Sequence, residues 1–368
     1  MIIRSIKLSH FRNYSAAEVF FHEKINVFIG ENGAGKTNLL ESIQYLSTIR
    51  SFRVKDEQEL IAKNQEVAKI EGTIENDGIL KKLAIIIRPE GKVLLFAKQP
   101  VKKSSEFIGQ CNAVLFSPVD MDFFEALPKV RRRLMDVELS KISPFYMEQL
   151  VLYGKLLKER NNYLKQDVID EHYLEVLDSQ LIDSQLPIIK WRKEFIDYIT
   201  NRVEDIFSTF MGERRNIDIQ HMSPVEDTNN NVLDQLTEKF KQGSRRDRMF
   251  KLTHIGVHRD DLIVTIDQFP VTSYASQGQK RALILSIKIA LLEYIKHKTD
   301  SNPILLLDDV FSELDERRRK IFYQVLPKQS QIMITSTKGD EINEWPKKDL
   351  QMFEILKGSI TPLKEDYP

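Results

Sequence analysis

The stretch Gly30-Glu31-Asn32-Gly33-Ala34-Gly35-Lys36-Thr37 matches the pattern G-x-x-x-x-G-K-[ST]. An apolar strand is expected just before it, over residues 24–29, and a helix after it, over 38–49. Glycines at these spacings let the backbone curl so that successive N–H groups point inward at a phosphate. The start of the following helix adds partial positive charge. Lys36 reaches the β- and γ-phosphates, and the Thr37 hydroxyl is a ligand for Mg2+. Gly30, Glu31, Asn32, Gly33, Ala34, Gly35, Lys36 and Thr37 are therefore the candidate nucleotide-binding residues, Lys36 is also a candidate catalytic residue, and ATP and Mg2+ are the expected cofactors.

Working outward, the partner feature lies far along the chain, at Ile304-Leu305-Leu306-Leu307-Asp308-Asp309. An apolar strand delivers Asp308 to the carboxyl edge of a parallel sheet, where it holds Mg2+ through water. Asp309, next along, is placed to polarise an attacking water and is the candidate catalytic base. Many strands end in acidic turns, so this pair carries weight only together with the glycine loop. Before it, Ser273-Tyr274-Ala275-Ser276-Gln277-Gly278-Gln279-Lys280-Arg281 opens a helix expected over 279–294, with Ser276 as its N-cap and N–H donors exposed at a positive helix end. By itself that segment reads equally as a plain capped helix.

Between these ends the texture changes. In residues 144–166, Tyr146, Leu150, Tyr153, Leu157 and Leu164 keep four-three spacing, with Arg160 interrupting. Residues 172–210 repeat the pattern with Leu174, Leu177, Leu181, Ile188, Trp191 and Phe195, broken at Ser184 and Pro187. Joined by a short polar link, these form an antiparallel helical hairpin, either projecting as an arm or packed as core helices. The first strand should place Ile6, Leu8 and His10 on one side, and residues 67–75 and 83–96 read as hairpins. The expected fold is α/β: a mixed β-sheet head with flanking helices, built from residues 1–118 and 255–368, with a helical arm domain, 119–254, inserted.

Composition removes several function classes. The chain has 368 residues, 42% hydrophobic and 29% charged, an ordinary globular mix that excludes wholesale disorder. Basic and acidic residues balance at 54 each, so DNA contact, if any, comes from local patches and not from a uniformly basic coat. The basic runs at 129–133 and 241–251 fit phosphate contacts or solvated faces alike, as does Arg53. One cysteine, Cys111, excludes an intramolecular disulfide and a Cys-only zinc site, and its apolar neighbours mark it as core filler. His258 with Asp260 and Asp261 has metal-ligand chemistry but reads first as structural. No apolar run is long enough to span a membrane, and the opening MIIRSIKLSHF is too often charged for a secretory leader, so a cytosolic protein is expected.

Taken in order, these segments resemble the ABC-type ATPases, in which one subunit's signature segment closes over ATP held by another's P-loop. Ser276-Gln277-Gly278-Gln279 looks like that signature, acting in trans. Ser312-Glu313-Leu314-Asp315 looks like the D-loop, with Ser312 and Asp315 as its functional positions. Transporter modules are a poor fit, because 240 residues separate Lys36 from Ser276, and arms of hundreds of residues, as in SMC proteins, exceed the chain. The whole chain resembles the RecF family of bacterial DNA replication and repair proteins through LSHFRNY, IGENGAGKTNLLE, VLFSPVDMDFF, RRRLMD, GVHRDDL, YASQGQKRALILSIKIA and LLLDDVFSELD. Val257 stands where the family is expected to carry proline. The acid pair is Asp-Asp, as in the family, where transporters have Asp-Glu. Thr335-Ser336-Thr337 leaves no histidine at the usual switch position.

The resemblance implies a slow, DNA-dependent ATPase of the cytoplasm and nucleoid. ATP closes a head-to-head homodimer on double-stranded DNA at gaps, hydrolysis releases it, and RecR- and RecO-type mediator proteins join it in loading recombinase. Arg12 and Asn13, after the first strand, join the nucleotide-binding set by the same resemblance. Three rivals are an ATP-binding scaffold without hydrolysis, an SMC-like ATPase of another DNA-maintenance pathway, and a P-loop enzyme acting on a small molecule. The signature segment argues against the last.

Overall fold

The computed structural model describes residues 1–226, 228, 230–311, 316–337 and 345–363. The chain divides into two compact units, one of residues 1–121, 209–212 and 282–368, the other of residues 122–208 and 213–281. The second boundary thus falls at 281/282, where the sequence reading drew it at 254/255.

In the first unit, β1 (Ile2–Phe11) buries Ile3, Ile6, Leu8 and Phe11. His10 does not share the buried face of Ile6 and Leu8, because it takes φ 51° and resets the alternation so that Phe11 turns inward. A two-residue turn at Arg12-Asn13 returns the chain as β2 (Tyr14–Phe20), with Phe11 opposite Tyr14. β3 (Ile25–Ile29), almost wholly buried, runs into the glycine loop and α1 (Lys36–Thr48). The strands β4 (Ala68–Asn76), β5 (Ile79–Arg88), β6 (Gly91–Phe96) and β7 (Gln99–Pro100) extend the first hairpin into a six-stranded sheet of order β2-β1-β4-β5-β6-β7. A single turn, α2 (Ser104–Phe107), then leads to β8 (Ala113–Phe116), and Cys111 beside it is fully buried.

The second unit is mainly helical. It holds α3 (Pro128–Ile142), α4 (Pro144–Tyr163), most of α5 (Glu171–Met211), β9 (Ile217–Met222), α6 (Val232–Phe250), β10 (Asp261–Ile266), β11 (Phe269–Pro270), α7 (Val271–Tyr274) and the first turn of α8 (Gln277–Thr299). α4 and α5 form the expected antiparallel pair. Tyr146 meets Trp191 at 6.3 Å between ring centroids, Arg160 pairs with Asp178, and Tyr163 meets Tyr173 at 4.7 Å. Each advance along α4 is matched by a retreat along α5, which defines the antiparallel register.

Two details of that hairpin differ from the sequence pattern. α5 runs unbroken through Pro187, with Ser184 and Gln185 in the preceding turn donating side-chain hydrogen bonds to the Leu181 carbonyl. Arg160 does not interrupt the seam but lies within it, fully buried in the last turn of α4. Its guanidinium reaches Asp178, Asp247 at 2.7 Å and the Thr253 hydroxyl at 2.8 Å, and lies 5.4 Å over the Phe240 ring. Asp247 also accepts from the His254 backbone N–H at 3.0 Å. Removing one partner of a buried pair strands the other charge, a loss of about 3–5 kcal/mol. Asp247→Ala leaves Arg160 its Asp178 partner but removes one charged acceptor, so it should lower the stability of this unit by about 1.5–3 kcal/mol in urea denaturation. A loss under about 1 kcal/mol would show that solvent reaches Arg160.

The chain returns to the first unit along α8, then forms β12 (Ile304–Asp308), α9 (Glu316–Val325), β13 (Ile332–Ser336), β14 (Leu350–Leu356) and β15 (Ser359–Pro362). These make the second six-stranded sheet, of order β15-β14-β3-β13-β12-β8. β14, β3, β13, β12 and β8 run parallel, so their carboxyl ends share one edge. α1 contacts strands of both sheets and buries Leu39, Leu40, Ile43, Tyr45 and Leu46 completely. Its all-round burial fixes the direction in which the loop at its start points. No described helix is long and apolar enough to cross a membrane.

Candidate nucleotide-binding site

The glycine loop leaves β3 at the carboxyl edge of the parallel sheet, where open α/β sheets take their ligands. Gly35, the N-cap of α1, has φ 121°, a conformation that only glycine adopts without strain. A Cβ there would also stand 2.6 Å from Asn13 Nδ2. Gly30 is needed for a different reason: its Cβ would meet the Ile355 carbonyl oxygen of β14 at 2.5 Å. The loop is held by its neighbours. Asn13 Nδ2 donates to the Ala34 carbonyl at 2.9 Å, the Tyr14 hydroxyl to Gly35 O at 2.9 Å, and the Gly358 N–H to Ala34 O at 3.2 Å. The Lys36 ammonium folds over the loop, donating to Gly30 O at 2.6 Å and Glu31 O at 3.0 Å. Burial lowers its pKa, while the charges of Asp309 and Asp308 oppose that shift.

The acid pair arrives on β12, two strands from β3. Thr37 Oγ1 donates to Asp308 Oδ1 at 3.0 Å, so the two residues expected to hold the metal are in contact. Burial raises the Asp308 carboxyl pKa, and among the described residues no lysine or arginine forms an ion pair with it. A buried carboxylate and a hydroxyl side by side, without a pairing cation, are the oxygen donors that suit a hard divalent ion such as Mg2+. Asp309 follows at φ 53°, half-buried, and its backbone N–H donates to the Thr335 hydroxyl at 2.9 Å.

Arg12 and Asn13 divide in role. Asn13 touches the loop directly and accepts from Asn38 Nδ2 at 2.8 Å. Arg12 instead makes a two-pronged pair with Glu41, both contacts 2.9 Å, and a third bond to Glu59 O. Glu41 is fully buried in α1 and also receives the Ser51 hydroxyl, with Arg53 3.5 Å away. Arg12 therefore braces α1 through Glu41. The sequence pattern missed Glu41, Asn38 and Gly358. Glu41 could have been found as the one acid among the inward apolar positions of α1, whereas Gly358 depends on a C-terminal hairpin that no motif marks.

The signature residues belong to the second unit. Ser276 Oγ accepts from the Gln279 N–H at 3.3 Å, and Gln279 Oε1 accepts from the Ser276 N–H at 2.9 Å. This reciprocal capping box starts α8 at Gln277, two residues earlier than expected, with Ser276 and Gln277 exposed and Gly278 and Gln279 half-buried. Ser312 and Asp315, read as the D-loop, lie outside the described residues.

Two arginines of the first basic run and the metal-like cluster make structural contacts, while Lys129, Arg133, Lys241, Arg245 and Arg246 are exposed. Arg131 makes a two-pronged pair with Asp261 at 2.7 Å, and Arg132 reaches the Asp260 carbonyl. Asp260, fully buried, receives Arg192 at 2.7 Å and His221 at 2.9 Å. His258 hydrogen-bonds through both ring nitrogens, to the Tyr153 hydroxyl and the Thr253 carbonyl, and burial pushes its pKa down to about 4. Among the described residues no group of three or more histidine, cysteine and acid side chains could hold a metal ion.

The chain matches known proteins over nearly its whole length. The model of the RecF/RecN/SMC N terminal domain matches residues 2–358. A DNA replication and repair protein RecF from Streptococcus gordonii is 35% identical, covering 98% of this chain and 100% of that protein. The chain belongs to the RecF family. The RecF protein of Lysinibacillus sphaericus is 34% identical over 98% of this chain and 99% of its own length. Among solved structures, the recombination mediator protein RecF of the RecFOR pathway with ATP superposes with a TM-score of 0.90 at 29% identity, covering 99% of this chain and 98% of that one. An Smc head domain from Pyrococcus furiosus shares the fold, with a TM-score of 0.56 at 14% identity. This RecF family member thus has the α/β fold that it shares with an Smc head domain, and a RecF relative along its full length.

Proposed function

We propose that this chain is an ATP-switched DNA clamp of recombinational repair, whose head is the discontinuous α/β part and whose arm is the inserted helical part. The observation that carries the reading is the contact of Thr37 with Asp308 beneath the Lys36 loop: phosphate cradle and metal-ligand acid meet at one sheet edge. RecF relatives have been solved with ATP, which supports ATP as the nucleotide here.

In this reading the loop N–H groups and Lys36 bind the β- and γ-phosphates, with Asn13 holding the loop and Arg12 bracing the helix behind it. Thr37 and Asp308 would hold Mg2+, which neutralises charge on the phosphate oxygens. Asp309 takes the proton of the attacking water. Aspartate is one methylene shorter than glutamate and must reach farther, which suits a slow timer better than a motor. Ser276 to Gln279 of a second copy close over the nucleotide, with Ser312 and Asp315 as the D-loop between copies, giving two composite sites across a two-fold axis. The closed homodimer holds double-stranded DNA, which stimulates hydrolysis, and works at gapped DNA with RecO- and RecR-type proteins at the nucleoid.

Mass measurement by size-exclusion light scattering tests this directly. The protein alone should run as a monomer of 43.0 kDa, and ATP with Mg2+ should shift it to a dimer, more completely with duplex DNA present. A mass that ATP and DNA leave unchanged would overturn the clamp in favour of a static ATP-binding scaffold.

A further inference from the structure

Thr335 stands on β13, the strand between β3 with its phosphate loop and β12 with its acid pair. The register puts it beside Asp308 on one side and Phe28 on the other. It is 1% exposed. Its Oγ1 lies 2.8 Å from Asp308 Oδ1 and 3.4 Å from the Leu307 carbonyl, and it accepts from the Asp309 N–H at 2.9 Å. A hydroxyl has one proton to give, and the carboxylate oxygen is much the nearer acceptor. Thr335 therefore donates to Asp308 and accepts from Asp309 at the same time.

Both partners need what it supplies. Among the described residues Asp308 Oδ1 receives only hydroxyls, from Thr37 and Thr335, so the pair of them decides which way the carboxylate faces. Asp309 sits in a left-handed conformation, uncommon for a non-glycine residue though aspartate adopts it more readily than most, where a backbone bond serves to anchor it. Its N–H bond to Thr335 is such an anchor. A threonine that merely satisfied itself in a strand would turn its hydroxyl to local backbone. Here the proton crosses to the neighbouring strand's acid.

We propose that Thr335 is the positioning residue of the acid pair: one hydroxyl sets the Asp308 carboxylate against Thr37 and anchors Asp309 in its left-handed turn. The assignment rests on the ATPase reading above. Valine at 335 keeps the branched shape but neither donates nor accepts, leaving Asp308 with Thr37 alone and the Asp309 N–H without its acceptor. Serine keeps the hydroxyl.

The test compares wild type, Thr335→Ser and Thr335→Val by two readouts. The first is the Mg2+ dependence of equilibrium binding of a fluorescent ATP analogue, and the second is kcat against KM for ATP. Groups that orient a metal ligand typically govern affinity or activity about 10- to 100-fold. The valine variant should need about tenfold more Mg2+ and lose about 10- to 100-fold in kcat, with metal-free analogue binding unchanged because the loop and Lys36 are untouched. The serine variant should stay within about twofold of wild type on both readouts. Should the valine protein not fold, Thr335→Ala, which also lacks the hydroxyl, is read in the same way. A hydroxyl-free variant with wild-type Mg2+ dependence and kcat would overturn the assignment. So would a serine variant as impaired as valine, since the methyl group's packing would then be what matters. Wild type that binds no analogue would remove the ATP site itself, a failure visible before any variant is made.

Discussion

Replacing Lys36 by methionine should weaken ATP binding about 100-fold or more. The ammonium is the mobile cation of the loop, and two charge-assisted hydrogen bonds to phosphate oxygens are worth about 1.5–3 kcal/mol each. Losing both removes at least about 3 kcal/mol, or roughly two powers of ten in Kd. The variant is a clean test because the loop does not depend on Lys36 for its shape. Asn13 and Tyr14 still hold Ala34 and Gly35, and the two carbonyls that Lys36 now covers, those of Gly30 and Glu31, belong to half-buried and exposed residues. Burial already disfavours the free ammonium, so an anion arriving beside it gains more than it would at an exposed lysine. Titration with a fluorescent ATP analogue, alongside a urea unfolding curve, checks the expectation. Unchanged affinity in a folded variant would show that nucleotide binds elsewhere.

What was legible in the sequence were the parts whose chemistry is local. The loop Gly30 to Thr37 is contiguous, and its glycines answer backbone demands that no other residue meets. β12 runs straight into the two acids, and the α4–α5 pair shows in heptad spacing because its seam is mostly apolar. What escaped was held by distant partners. Arg160 breaks the apolar spacing in sequence yet lies inside, because Asp178 and Asp247 meet it from other helices. Proline at 187 reads as a stop, but α5 continues, since burial of Ile188, Ile189 and Phe195 keeps the helix in place. Arg12 joins the nucleotide-binding set by resemblance, and only the fold shows that it also pairs with Glu41. β14 and β15 carry no motif, although Ile355 and Gly358 shape one wall of the loop.

Mixing two inactive variants should restore activity if Ser276 acts across a dimer. Ser276 is exposed and, among the described residues, bonded only within its own helix turn, so its capping box is what Ser276→Arg breaks. An N-cap loss costs about 1 kcal/mol, small for a 23-residue helix whose apolar side chains are nearly all buried. The substitution should therefore spare the fold and the binding of ATP by a monomer. At the helix start, however, a bulky cation replaces a small cap where a partner's γ-phosphate would meet exposed N–H groups, so ATP-induced dimerisation and hydrolysis should fall to background. Lys36→Met is inactive for the opposite reason, having a sound signature and a defective loop. In a mixed dimer, one composite site carries both defects and the other carries neither. Each mixed dimer should then regain up to half of the wild-type activity, and the total should peak at equal mixing. Two sites that each use their own chain's signature would give no recovery at any ratio. Such a result, with mixed dimers confirmed by mass, would leave the nucleotide loop standing and remove the head-to-head closure.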